Sequence, residues 1–191
     1  MKHFTQHLFL LFVLLLSCPA LCQFEGLPRD EHGKINITDV VKTDSVGRDA
    51  LFIRAKQWFA ESFKNADRVI KMEDRQEGIF IGKGSTTVTI YAGIYSTPMF
   101  FTVGIYLKDN RYKYEITDLY YKASPTQANN YSTLETPLET LFTQENKDSK
   151  RKSVQKYMES YRAPTVAQLK AIEASLRNAM TGAHLKSKTD F

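Results

Sequence analysis

From Gln57 to Asp74 the chain reads QWFAESFKNADRVIKMED, and within these residues one hydrophobic period gives way to another. Up to Ala66 the apolar positions recur every three or four residues; from Val69 they alternate. Extended backwards, the first pattern places Leu51, Phe52, Ala55, Trp58, Phe59, Ser62, Phe63 and Ala66 on one arc of a helix. Arg54, Lys56, Gln57, Glu61, Lys64 and Asn65 fall opposite. Ser45 is a suitable N-cap and Asp49 suits the positive end of the helix dipole, although Gly47 blurs the start. Trp58, the only tryptophan, stands at the rim of the apolar arc, where a large ring seals a helix against a sheet. It reads as a core plug rather than a ligand platform, because aromatics on a helix's apolar face usually pack.

Working outward, turn signals divide the following residues into strands at Val69–Asp74, Ile79–Lys83, Ser85–Tyr91, Phe100–Lys108 and Arg111–Tyr121. Before the helix, Ile35–Val41 is a further β-rich run. Asp109-Asn110 between alternating runs predicts a two-residue hairpin, since both residues tolerate the left-handed conformation. Pairing Lys108 with Arg111 puts Phe101, Val103, Ile105 and Leu107 on one face with Tyr112, Tyr114 and Ile116. The other face then carries Thr102, Tyr106, Lys113, Glu115 and Thr117, joined by Thr87, Thr89 and Tyr91 from the preceding strand. An antiparallel sheet with one apolar face follows, backed by the amphipathic helix, in an α+β fold. The eight Thr-, Tyr- and charge-bearing positions form the candidate contact face.

Beyond Lys122, Ser124–Asn130 reads as a polar linker opening a helical extension over residues 123–191. A short helix over Leu134–Phe142, interrupted near Pro137, and a charged one in KDSKRKSVQKYMESY are expected. A third starts at Thr165 as N-cap after Pro164 and ends at Gly182. Its stripe of Val166, Leu169, Ile172, Leu176 and Met180 must be buried, against the main domain or against a partner.

One helix between a first strand and a four-strand meander is the order β-α-β-β-β-β. The residues over Ile35–Val41, Ala55-Lys56-Gln57-Trp58-Phe59 with Glu61-Ser62-Phe63, Met72-Glu73-Asp74, Ile81-Gly82-Lys83-Gly84 and Lys108–Asp118 resemble a known family. It comprises exported proteins of Bacteroidetes that carry a domain of unknown function with a TATA-binding-protein-like (TBP-like) fold. The likeness spans the middle half of the chain, within a domain set at residues 35–122. Asn110 stands where such hairpins more often have Gly, which leaves the turn type open. The family has no established catalytic residues, so the resemblance implies none here.

The first 22 residues read as a secretory signal peptide: Lys2, an unbroken apolar run from Leu8 to Leu16, then small residues before Gln23. A membrane-crossing helix needs roughly 20 apolar residues, so the run is too short to be one, and no later stretch approaches that length. Cleavage after Cys22 fits the small-residue rule. The alternative is a lipobox, Leu15-Leu16-Ser17-Cys18, with an acyl anchor on Cys18. Both cysteines lie in this leader, so cleavage after Cys22 leaves no thiol for disulfides, nucleophilic catalysis or metal binding. Loss of the leader removes one base, Lys2, from a net charge of +5, far from the surplus that nucleic-acid binding demands.

His32 and His184 alone remain of the histidines, neither in a metal-ligand spacing, so no metal or other cofactor is expected. Gly82-Lys83-Gly84-Ser85 is not a phosphate loop, because a strand follows it; the paired glycines predict a bend or bulge at Lys83. Glu73 and Asp74 point to opposite faces, as do Glu115 and Asp118, so no carboxylate pair converges. The basic run from Lys147 to Lys152, with Lys156, reads as a solvated helix face. These readings favour a non-enzymatic binding or interaction module, exported to the periplasm or outer membrane, whose partner is an envelope protein or ligand. The alternatives are an envelope hydrolase with a site assembled only in space, and a structural subunit docking through its last helix.

Overall fold

The structure, a computed structural model, describes residues 27–91, 93–122, 135–143 and 150–182. The leader with Cys18 and Cys22, the linker Ser124–Asn130, Lys147 and His184 lie outside the described residues. In chain order the elements are β1 (Ile37–Lys42), α1 (Arg48–Ser62), α2 (Ala66–Val69), β2 (Ile70–Asp74), β3 (Ile79–Ile90), β4 (Tyr95–Lys108) and β5 (Arg111–Lys122). Then come β6 (Glu135–Pro137), α3 (Leu138–Leu141) and α4 (Lys152–Thr181). The strands form one antiparallel sheet in the order β1-β5-β4-β3-β2, with β6 continuing the β1 edge beside Tyr120–Lys122.

Lys108 pairs with Arg111, and the alternation read from sequence holds: Val103, Ile105, Leu107, Tyr112, Tyr114 and Ile116 are all buried. Asn110 alone of the turn pair takes a positive φ, +60°. Asp109 does something else: its Oδ1 accepts from the Arg48 backbone N–H (2.8 Å) and so caps α1 across space. Ser45 is therefore not the cap. It sits at φ +56°, two residues before Gly47, which occupies the N-cap position with extended backbone.

Leu51, Phe52, Ala55, Trp58 and Phe59 bury the face of α1 predicted for them. Gly82 and Gly84 are explained by the same rings. A Cβ on Gly82 would stand 2.4 Å from Phe59 Cε1, and one on Gly84 2.4 Å from Phe63 Cε1. The expected bend at Lys83 is absent, since Ile79–Ile90 runs as one strand whose glycines make room for aromatic edges.

The C-terminal region departs most from expectation. Glu135–Pro137 pairs with β5 as a strand before the short α3. The two predicted helices are one, α4, with Pro164 inside it. Thirty residues at 1.5 Å each make it about 45 Å long. Pro164 has no N–H to give the preceding turn. Thr165 is not an N-cap: its hydroxyl is buried, donates to the Tyr161 carbonyl and accepts from the Tyr121 hydroxyl (2.5 Å). Gly182 does end the helix, at φ +74°.

Leu169, Leu176 and Met180 are buried against the same sheet face as α1. Trp58 donates its indole N–H to Ser175 Oγ (3.1 Å), Gln168 donates to Thr86 Oγ1 (2.8 Å), and Arg54 donates to the Met180 carbonyl (2.7 Å). Trp58, only 3% exposed, is thus a plug between two helices as well as above a sheet. Arg177 completes the seam, donating to Asp39 Oδ2 (2.6 Å) and to the Tyr114 hydroxyl (2.8 Å), which itself donates to Glu173.

Candidate functional site

Both long helices lie on one side of the sheet, so its other side is bare of any described element. Across it run the pairs Ile79↔Tyr106↔Lys113, Ile81↔Gly104↔Glu115, Lys83↔Thr102↔Thr117 and Ser85↔Phe100↔Tyr120. The alternation that buries one set of side chains delivers the other set here. A bulge lies between the pairs of Phe100 and Thr102, with Asp118 at φ +51°, a conformation that Asp tolerates. The extra residue keeps Leu119 and Tyr121 inward and turns Tyr120 outward beside Phe100.

At the hairpin end, Tyr106 lies flat over Gly104, within 3.0–3.2 Å of where a Cβ would stand, and its hydroxyl donates to Glu115 Oε2 (3.2 Å). Lys113 Nζ is 2.5 Å from Glu115 Oε1, and 5.9 Å from the centre of the Tyr106 ring. Burial, then the Glu115 charge, raises the Tyr106 hydroxyl above its ordinary pKa; the Glu115 hydrogen bond raises Lys113. Both shifts move titration further from neutrality, so Tyr106 and Lys113 offer fixed hydrogen bonds and charge rather than proton transfer near pH 7. With Val40, Ile79 and Arg111, Tyr106 and Lys113 line a shallow depression of about 610 Å³, and Glu115 stands beside it.

A wider cleft, about 890 Å³, runs from the bare face over the edge of β3, where β2 has ended, to the α1–α2 connection. Phe100 and Tyr120 stack on its floor with ring centres 5.2 Å apart and planes 9° from parallel. Thr102 donates to Asp118 Oδ2 (3.0 Å), while Lys83, Lys64 and Arg68 enter from β3 and the connection. Three cations therefore face one carboxylate, and among the described residues none of the three is in an ion pair.

Of the eight contact-face residues taken from sequence, Thr87 and Thr102 line the cleft, Tyr106 and Lys113 line the depression, and Glu115 and Thr117 lie beside them. Thr89 is on the same face opposite Ser96, their hydroxyls 3.5 Å apart. Tyr91 is not. At φ +52° the chain turns there, and its ring packs against Tyr157 and Tyr161 of α4, on the helix side. Sequence reasoning passed over Phe100, Tyr120, Asp118, Lys64, Arg68 and Lys83. A signal existed for the first two, because the doublets Phe100-Phe101 and Tyr120-Tyr121 must each turn one ring out of an alternating strand.

No group of three or more His, Cys, Asp or Glu side chains arranged to hold a metal occurs among the described residues. No described helix is long and apolar enough to cross a membrane.

Residues 38–122 match the model of a family described as a domain of unknown function, DUF4468, with TBP-like fold. A solved TBP-like protein from Parabacteroides distasonis superposes with a TM-score of 0.63 at 16% identity, covering 82% of this chain and 97% of that one. A DUF4468 family protein from Bacteroides ovatus gives 0.61 at 14% identity, covering 81% and 90%. These alignments extend well beyond residues 38–122, so the shared architecture includes elements flanking the family domain. At such identities they speak for the fold alone. No curated protein matches the chain.

Proposed function

We propose, from the premise that residues 38–122 are a DUF4468 domain of TBP-like fold, that the chain is a non-enzymatic binding module of the bacterial cell envelope. Its contact surface is the bare sheet face, centred on the Phe100–Tyr120 cleft. The ligand class is an acidic saccharide. One observation carries the reading: a cleft in which Lys64, Arg68 and Lys83 outnumber Asp118 around a stacked aromatic pair and two threonine hydroxyls. Ring edges and hydroxyls suit a sugar, and surplus cations suit its carboxylate. Export rests on the signal-peptide pattern of residues 1–22 and accounts for where such a ligand would be met. The docking-subunit reading loses its motive, because the apolar stripe of α4 is buried on the protein's own core.

Titration calorimetry with a uronic-acid oligosaccharide and its neutral counterpart tests the proposal. Preferential binding of the acidic sugar is expected, weakened about tenfold by the double substitution K83A/R68A, consistent with lost charge-assisted bonds. Equal affinity for both sugars, or unchanged affinity in the variant, would overturn it.

A further inference from the structure

Independently of that cleft, the turn joining β3 to β4 carries a second surface with its own chemistry. The connection between these strands exposes Ile94 (74%) and Tyr95 (61%), and Tyr157 of α4 is 41% exposed. Tyr95 and Tyr157 both flank Tyr91, with ring centres 5.7 and 6.2 Å from it. These three account for half of the six large hydrophobics exposed among the described residues. Surface apolar residues scattered singly need no explanation; a cluster at one tip does.

Over residues 150–157, beside this tip, the charge is of one sign. Lys150, Arg151, Lys152 and Lys156 are exposed over the first turns of α4, and no acidic residue lies between Lys150 and Tyr157. Lys150 and Lys152 at the positive end of a helix dipole are unfavourable to the helix itself, and the first turn contains no acid to offset them. The arrangement gains from an anionic surface outside the molecule.

We infer that this tip is a peripheral contact for an anionic phospholipid surface. Ile94 and Tyr95 enter the headgroup region while the basic turns of α4 lie over the phosphates. Tyrosines favour that depth because one end of the ring is apolar and the other wet, and lysine stems reach past apolar neighbours to keep their ammonium groups at the phosphates. Each lysine near such a surface strengthens binding about fivefold, and the gain is screened by salt.

The test is vesicle co-sedimentation of the chain as its cell processes it, carrying C18A so that no acyl group contributes. Vesicles of phosphatidylcholine alone are compared with vesicles containing about one third phosphatidylglycerol. Binding to the second and not the first is expected, declining as salt is raised. The pair K152E/K156E should weaken it about 25-fold or more, by the same per-lysine factor. It should also keep or raise the thermal midpoint, because Glu suits the start of α4. I94S/Y95S should weaken binding without moving Trp58 emission, and K83A/R68A in the cleft should leave it unchanged. Equal binding to both vesicle types, or retention by both tip variants, would overturn the inference. So would failure to bind vesicles combined with self-association that I94S/Y95S abolishes, which would make the tip an interface between copies.

Discussion

The two faces of this sheet use the same strands and the same alternation, yet they are held in different ways. On the helix side, order comes from interlocking: Phe59 fills the space above Gly82, Phe63 the space above Gly84, and Trp58 closes the seam with Ser175. On the bare side, order comes from neighbours on adjacent strands: Tyr106 with Glu115, Lys113 with Glu115, Thr102 with Asp118, Phe100 with Tyr120. The first kind of contact fails when volume changes, because packed interiors leave no slack. The second tolerates change, because each pair can be remade with solvent. A face held by the second kind is free to meet something else.

The severest test of this contrast removes α4. Ending the chain at Ala163 deletes Leu169, Ser175, Leu176 and Met180 and uncovers Trp58. Loss of the cooperative urea transition and a red shift of Trp58 emission are expected. A truncated chain as stable as the parent would mean that the helix side needs only α1.

Matched glycine substitutions sharpen the comparison. Gly82→Ala drives a methyl into the buried Phe59 ring and should cost about 1–3 kcal/mol of unfolding free energy. Gly104→Ala meets the end of the Tyr106 side chain, which can swing aside, and should cost under about 1 kcal/mol. Equal losses in urea titrations would erase the distinction between the faces.

The smallest effect lies at the edge of the helix side. The Arg177 hydrogen bond, and next the Val40 N–H, hold the Asp39 carboxyl below its ordinary pKa. A pKa lower in the folded state gives stability that is present above the unfolded value, about 3.9, and lost as pH falls through the folded one. Asp39 is half exposed and screened, so Asp39→Asn should remove about 0.5 kcal/mol at pH 7 and flatten the decline below pH 4, as read from thermal midpoints across pH.

What could be read in advance followed from periodicity. The faces of β4 and β5 were legible because a two-residue turn fixed their register, and α1 because its apolar arc was continuous. Three errors share one cause: the decisive partner was distant in sequence. Asp109 displaced Ser45 as the cap of α1 from 61 residues away from Arg48. Gly82 and Gly84 looked like breakers until Phe59 and Phe63 were placed over them. Thr165 looked like a helix start because Pro164 precedes it, but Tyr121 on β5 holds its hydroxyl inside a continuous helix. The cleft was half legible: the aromatic doublets announced an outward ring, whereas Lys64 and Arg68 reach it only through the course of the α1–α2 connection.

The fastening of α4 also sets an order of events during synthesis. Arg54 on α1 donates to the carbonyl of Met180, 126 residues later, and the indole of Trp58 waits for Ser175. While the ribosome is still making α4, every strand from β1 to β5 has already been synthesised, but the apolar side has only α1 to cover it. Native closure therefore comes last and through distant contacts, which slow folding and leave an unfinished chain open to chaperones.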